Sequence, residues 1–155
     1  MSSRLFQEVR EKRGLAYHVS ASVAGCADCG LLCIYTATGA EKSAELPFIL
    51  IEQLQQLGQD VAMEELLRAK NQQKAELLMA RENPSTVAGW IGRHLLLFGR
   101  YIELPEILRR IEAVSLEDIS RLTEHLCSRP LTLAALGPVQ KLPAYPQVAQ
   151  ALHGA

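Results

Sequence analysis

The sequence predicts an α+β fold, an antiparallel sheet with helices packed on one face, and three observations carry that prediction. Two β-rich stretches, Leu15 to Ala24 and Leu31 to Thr38, lie close together on either side of the turn residues Gly25 to Gly30. Helical periodicity then fills the chain from Ala40 to Cys127, and a largely apolar stretch, Leu131 to Leu136, returns as a last strand. Strands followed by a block of helices and a returning strand do not have the βαβ alternation of a parallel, doubly wound sheet.

Taken in order, Ser2, Ser3, Leu5, Phe6 and Val9, followed by the charged run Arg10 to Arg13, read as a short amphipathic helix beginning at residue one. After Gly14, the residues Leu15, Tyr17, Val19, Ala21 and Val23 share one parity and Ala16, His18, Ser20 and Ser22 the other, which predicts a half-buried strand. LLCIYTAT, Leu31 to Thr38, is rich in β-formers and completes a hairpin. Leu46, Ile49, Leu50, Leu54 and Leu57 recur at helical spacing and Gly58 ends the pattern, while Pro47 predicts a kink or a late start. Asp60 is placed to cap the next and longest helix, Ala62 to about Arg81.

Asn83-Pro84 breaks that helix and starts another, with Asn83 as cap and Pro84 at the first helical position, closed by Gly99. A short helix over Pro105 to Ala113 follows, and Ser115-Leu116-Glu117-Asp118 makes a capping box for a helix to about Cys127. From Gly137 onward, with Pro138, Pro143 and Pro146, no periodicity is evident, and the expectation is a tail strapped over the surface. The expected organisation is one domain over 1–137 and a Pro-containing tail over 138–155.

Composition narrows function. The chain has 155 residues, enough to bury a core without disulfides or metal. With 48% apolar and 21% charged residues it has the profile of a folded protein. Sixteen Lys and Arg against seventeen Asp and Glu leave a net charge of -1, so no field draws it to nucleic acid or to an anionic membrane. No apolar run approaches the roughly 20 residues of a bilayer span, and MSSRLFQEVREK has no signal-peptide h-region, so a cytoplasmic location is expected.

Candidate chemistry is sparse. Arg121-Leu-Thr-Glu124-His125 has arginine where an inverted zinc motif needs histidine, so Glu124 and His125 read as a solvated helix face. Cys26, Cys29 and Cys33 could begin a tetrahedral metal site, with Cys127 or a distant histidine as fourth ligand. Cys33, inside an apolar strand, equally reads as a small hydrophobe. Arg10 and Tyr17 bring a fork of donors and a phenolic donor, which together could grip a carbonyl or an oxyanion. The alternative makes Arg10 part of an exposed helix end and Tyr17 a core residue on the strand's apolar face.

Read whole, MSSRLFQEVREKRGLAYHVSAS is similar to a segment of the pitrilysin and mitochondrial-processing-peptidase family, the zinc metallopeptidases with an inverted H-x-x-E-H motif. The likeness continues through AGCADCGLLCIYTATGAEKS, ELLRAKNQQKAELL, ENPSTVAGWIGRHLLLFGR, EILRRIEAVSLEDISRL and LTLAALGP. The resemblance implies two related α+β domains or subunits around a closed chamber, one carrying the zinc ligands and the general-base glutamate. This chain resembles the other one. Carried over by position on Arg10-Glu11-Lys12-Arg13-Gly14-Leu15-Ala16-Tyr17, the family's substrate-binding arginine and tyrosine are Arg10 and Tyr17, which would reach across to stabilise the tetrahedral intermediate of a peptide.

The resemblance further implies no cofactor in this chain, zinc on an N-terminal domain or partner subunit, a peptide substrate, and no activity in isolation. It also implies a domain lacking its first strand or strands, whose open sheet edge leaves a homo-oligomer open. Two other readings stand beside it: a non-catalytic structural or assembly subunit of the same family, and a small metal-binding module using Cys26, Cys29, Cys33 and Cys127.

Overall fold

The structure, a computed structural model, describes residues 3–26 and 28–154. Met1 and Ser2 of the expected opening helix, Ala27 of the hairpin turn and Ala155 of the tail lie outside the described residues. The elements in chain order are a π-helical segment Phe6–Lys12, strands β1 His18–Gly25 and β2 Gly30–Ala37, and a 3-10 turn Ala40–Lys42. Six helices follow: α1 Leu46–Asp60, α2 Met63–Ala80, α3 Pro84–Phe98, α4 Leu104–Ala113, α5 Leu116–Cys127 and α6 Tyr145–His153. The mixture of helices with an antiparallel hairpin is the expected α+β class. The described residues form two compact units, one from 3–25, 29–60 and 120–154, the other from 26, 28 and 61–119.

In the first unit, β1 and β2 pair antiparallel from His18↔Ala37 to Gly25↔Gly30. Leu32, Ile34 and Thr36 are half-buried and alternate with exposed Leu31, Cys33, Tyr35 and Ala37, the period-2 pattern of a sheet covered on one side. One core cluster joins Val9, Leu15, Ala16 and Leu46, with Leu5, Val19, Ile49 and Leu50 around it. A second joins Ile51 of α1 to Val148 and Leu152 of α6. Gln55 of α1 donates from Nε2 to the carbonyls of Ala151 and Leu152 at 3.0 and 3.1 Å, so α1 satisfies the C-terminal carbonyls that α6 cannot bond itself.

Pro47 gives the late start: it sits in the first turn of α1, after the separate 3-10 turn. Gly58 does not end α1, which continues to Asp60 with Gly58 against Thr123 of α5. Asp60 caps nothing, because its carboxylate is taken by Arg4 at 2.5 Å; the residue at the α2 N-terminus is Ala62. Leu131 to Leu136 forms no strand, since its backbone pairs with neither β1 nor β2. Leu131 and Leu133 are nonetheless half-buried and pack on the second cluster. The tail is not a featureless strap: Pro146 opens α6, where Val148, Ala151 and Leu152 recur at helical spacing over nine residues, too few to stand out in the sequence.

In the second unit the expected punctuation is present. Asn83 Oδ1 accepts from the backbone N–H groups of Ser85 and Thr86 at 2.9 and 3.4 Å, and Gly99 closes α3 in the left-handed region at φ 67°. Ser115 and Asp118 cap α5 reciprocally, Ser115 N donating to Asp118 Oδ2 at 2.9 Å and Asp118 N to Ser115 Oγ at 3.2 Å. Lys70 and Lys74 on α2 both reach Glu112 of α4, at its carbonyl and its carboxylate.

Candidate functional site

The junction from Phe6 to Tyr17 is built on buried anchors. Val9 is fully buried, and after the turn Leu15 and Ala16 join it in the first core cluster. Half-buried Arg10 follows Val9, and exposed Tyr17 follows Ala16. Burying a valine-sized side chain is worth about 1.5–3 kcal/mol, so the anchors hold both backbones against the fold. Gly14 makes the turn between them at φ 56°, where its N–H donates to the Arg10 carbonyl at 3.1 Å, the left-handed helix-end motif glycine favours.

The opening helix is thus π-helical, not α-helical, over Phe6–Lys12. Wide turns of this kind recur at functional positions because they change where a side chain is aimed. Here the Arg10 guanidinium lies 4.8 Å from the Phe6 ring centre and 4.9 Å from that of Tyr17, so it sits against both rings. Its Nε also lies 3.7 Å from a Glu11 carboxylate oxygen. Glu8 is occupied instead by Lys12 and Arg13, and the hydrogen bond from Lys12 holds its carboxyl below the usual range.

Tyr17 is 82% exposed, which overturns the expectation of a core residue on the strand's apolar face. The half-buried strand read from parity is not found: Tyr17 stands on a bend before the strand begins at His18, and within β1 only Val19 is half-buried while Ala21 and Val23 of the same parity are exposed. Tyr17 lines a cleft of about 460 Å³ together with Gly14, Leu15, Ala16 and residues 37–42. Two of these lining residues carry no signal in sequence. Thr38 donates from Oγ1 to the Leu15 carbonyl at 2.5 Å, and Lys42 donates from Nζ to the Gly14 carbonyl.

The cysteines are not gathered. Cys26, Cys29 and Cys33 are all exposed, and among the described residues no three His, Cys, Asp or Glu side chains come together as metal ligands. Cys33 is not the buried hydrophobe of an apolar strand, because its parity is that of the open face with Leu31 and Tyr35. Cys127 is half-buried against the second core cluster, and burial pushes its thiol pKa up. The residues present therefore do not fit zinc. Glu124 and His125 are exposed, as expected of a solvated face. His94 accepts at Nδ1 from the Ile102 N–H at 3.3 Å and lies against Tyr101, while His153 Nδ1 lies 2.9 Å from the Cys127 carbonyl oxygen.

Comparison with known proteins gives this geometry its relatives. Residues 1–73 match the Peptidase M16 inactive domain. The chain is 36% identical over 145 residues to an uncharacterized zinc protease, YmxG, of Bacillus subtilis, covering 93% of this chain and 36% of that protein. It is 37% identical over 138 residues to an uncharacterized zinc protease of Rickettsia felis, covering 89% of this chain and 34% of that one. An uncharacterized zinc protease of Mycobacterium bovis is 36% identical over 155 residues, 99% of this chain and 35% of its own length. The chain therefore spans about a third of the curated relatives it matches. Among solved structures, a chain of complex III2 from Candida albicans, with Inz-5 bound, superposes with a TM-score of 0.88 over 98% of this chain and 37% of that one. At 19% identity this likeness speaks for the fold.

Proposed function

The chain belongs to the pitrilysin (M16) family of zinc peptidases, as its inactive C-terminal domain, and from that premise we propose that it is the substrate-gripping half of a zinc metalloendopeptidase. The hydrolytic chemistry belongs to a zinc-bearing domain or subunit that faces it, since this chain's own residues do not fit the metal. Arg10 and Tyr17 bind the substrate peptide there and turn its scissile carbonyl. As negative charge grows on the carbonyl oxygen, the guanidinium and the phenolic O–H donate to it and stabilise the tetrahedral intermediate.

The observation that carries this reading is the Arg10–Tyr17 pair itself, a guanidinium against a ring at 4.9 Å with the phenol exposed beside a cleft. A cation resting on aromatic faces keeps its planar fork oriented at little entropic cost, and an exposed pair at an exposed site is worth only about 0.5–1 kcal/mol to the fold. Arg10→Ala or Tyr17→Phe in the complete peptidase should cost about 2–4 kcal/mol in transition-state stabilisation, the scale of one lost oxyanion donor. Unchanged kcat/KM in both variants would sink the role.

A second reading, a non-catalytic structural or assembly subunit, draws on the large apolar side chains left exposed on α3, Leu95, Leu96 and Phe98. It predicts no H-x-x-E-H chain in association and no response of any proteolysis to changes at Arg10 or Tyr17.

A further inference from the structure

We infer that Thr38 and Lys42 are positioning residues that set the distance between Arg10 and Tyr17, an inference that rests on the substrate-gripping reading above. Gly14 at the turn and Leu15 after it have every backbone polar group engaged. Gly14 N–H donates to the Arg10 carbonyl at 3.1 Å and Leu15 N–H to the Val9 carbonyl at 2.7 Å, which ties the junction backward to the π-helical segment. The Gly14 carbonyl accepts from Lys42 Nζ and the Leu15 carbonyl from Thr38 Oγ1, which ties it forward to the end of β2 and the 3-10 turn. The segment leading to Tyr17 is thereby held from both sides, two residues before the ring that meets Arg10.

Neither forward tie is needed to bury the junction. Val9, Leu15 and Ala16 do that through their side chains, while Thr38 and Lys42 are exposed and outside the core cluster. What the two side chains add is direction: without them the carbonyls of Gly14 and Leu15 turn to water, and the bend at Tyr17 is free to rotate. A reach across to another domain's site tolerates little of that, because about 1 Å of misplacement can cost on the order of a hundredfold in rate. Lys42 also closes one wall of the cleft that Tyr17 lines, so the same residue that aims the ring shapes the space beside it.

The test separates positioning from gripping. In the 155-residue chain, nuclear magnetic resonance reads the ring-current displacement of the Arg10 δ-methylene protons, with Tyr17→Leu setting the value for a lost stack. Thr38→Val and Lys42→Met should each move the Arg10 signal toward the Tyr17→Leu value, and Thr38→Ser, which keeps the hydroxyl, should restore it. In the complete peptidase the same two variants should lower kcat by roughly tenfold or more with KM little changed. An unaltered Arg10 signal in folded Lys42→Met and Thr38→Val overturns the inference, as does unaltered kcat where Tyr17→Phe is itself impaired. If the signal moves but Arg10→Ala and Tyr17→Phe both turn over normally, the positioning stands and the gripping role falls.

Discussion

At the scale of single residues, ionisation follows local partners more than burial. Glu106 on α4 accepts from Arg100 Nη1 and Nη2 at 2.8 and 2.7 Å and from Arg110 Nη2 at 2.6 Å. The Arg100 hydrogen bond, with Arg110 behind it, brings the Glu106 carboxyl down to about 2. Because the folded pKa lies below that of the unfolded chain, the stabilisation is fully present above the ordinary carboxylate range and is lost as pH falls through about 2. Carboxyl-carbon titration should place the Glu106 midpoint near 2, and Arg100→Ala should move it up toward 4.5. A midpoint unmoved by that substitution would show that the bidentate pair does not form in solution. Thiol reactivity divides on the same scale. Cys26, Cys29 and Cys33 are exposed and should alkylate ahead of Cys127, whose thiolate is disfavoured by burial. Mass mapping after brief alkylation of the native chain checks the order.

Individual helices respond to substitution through their caps and their closest neighbours. Asn83 Oδ1 holds two N–H groups of α3, so Asn83→Ala should cost about 1 kcal/mol. Glycines within helices separate into two kinds. A Cβ on Gly58 would meet Thr123 Cβ and Cγ2 at 3.0 Å, and Thr123 is buried. Gly58→Ala should therefore destabilise by roughly 1–2 kcal/mol despite the gain in helix propensity, and adding Thr123→Ala should recover part of the loss. Gly89 on α3 has open space where a Cβ would stand, so Gly89→Ala should stabilise by about 0.5–1 kcal/mol. Thermal melts of the four variants test the contrast, and a Gly58→Ala protein at least as stable as its parent would refute the close approach of α1 and α5.

For the molecule as a whole, the expectation is catalytic dependence. The chain alone should hydrolyse no peptide, and activity should appear when it is combined with an H-x-x-E-H-bearing half of the same family; elemental analysis of the chain alone should find no stoichiometric zinc or iron. Peptide hydrolysis by the isolated, metal-loaded chain would overturn the division of labour. No helix among the described residues is long and apolar enough to cross a membrane.

Local chemistry was legible in the sequence wherever a few neighbouring residues settle the outcome: the Asn83 and Ser115–Asp118 caps, Gly99 at the end of α3, the hairpin and the longest helix all follow from side-chain-to-backbone hydrogen bonding and periodicity. The R-E-x-x-G-L-A-Y stretch, through its likeness to the family, likewise singles out Arg10 and Tyr17. Only tertiary structure decided what covers each surface. It turned Tyr17 out to solvent against Arg10, left Cys33 on the open side of the hairpin, packed α6 onto α1, and brought Thr38 and Lys42 to carbonyls more than 20 residues earlier in the chain. The physical reason is range: propensities and caps act within a turn or two of the chain, whereas burial and aim depend on segments that folding alone brings together.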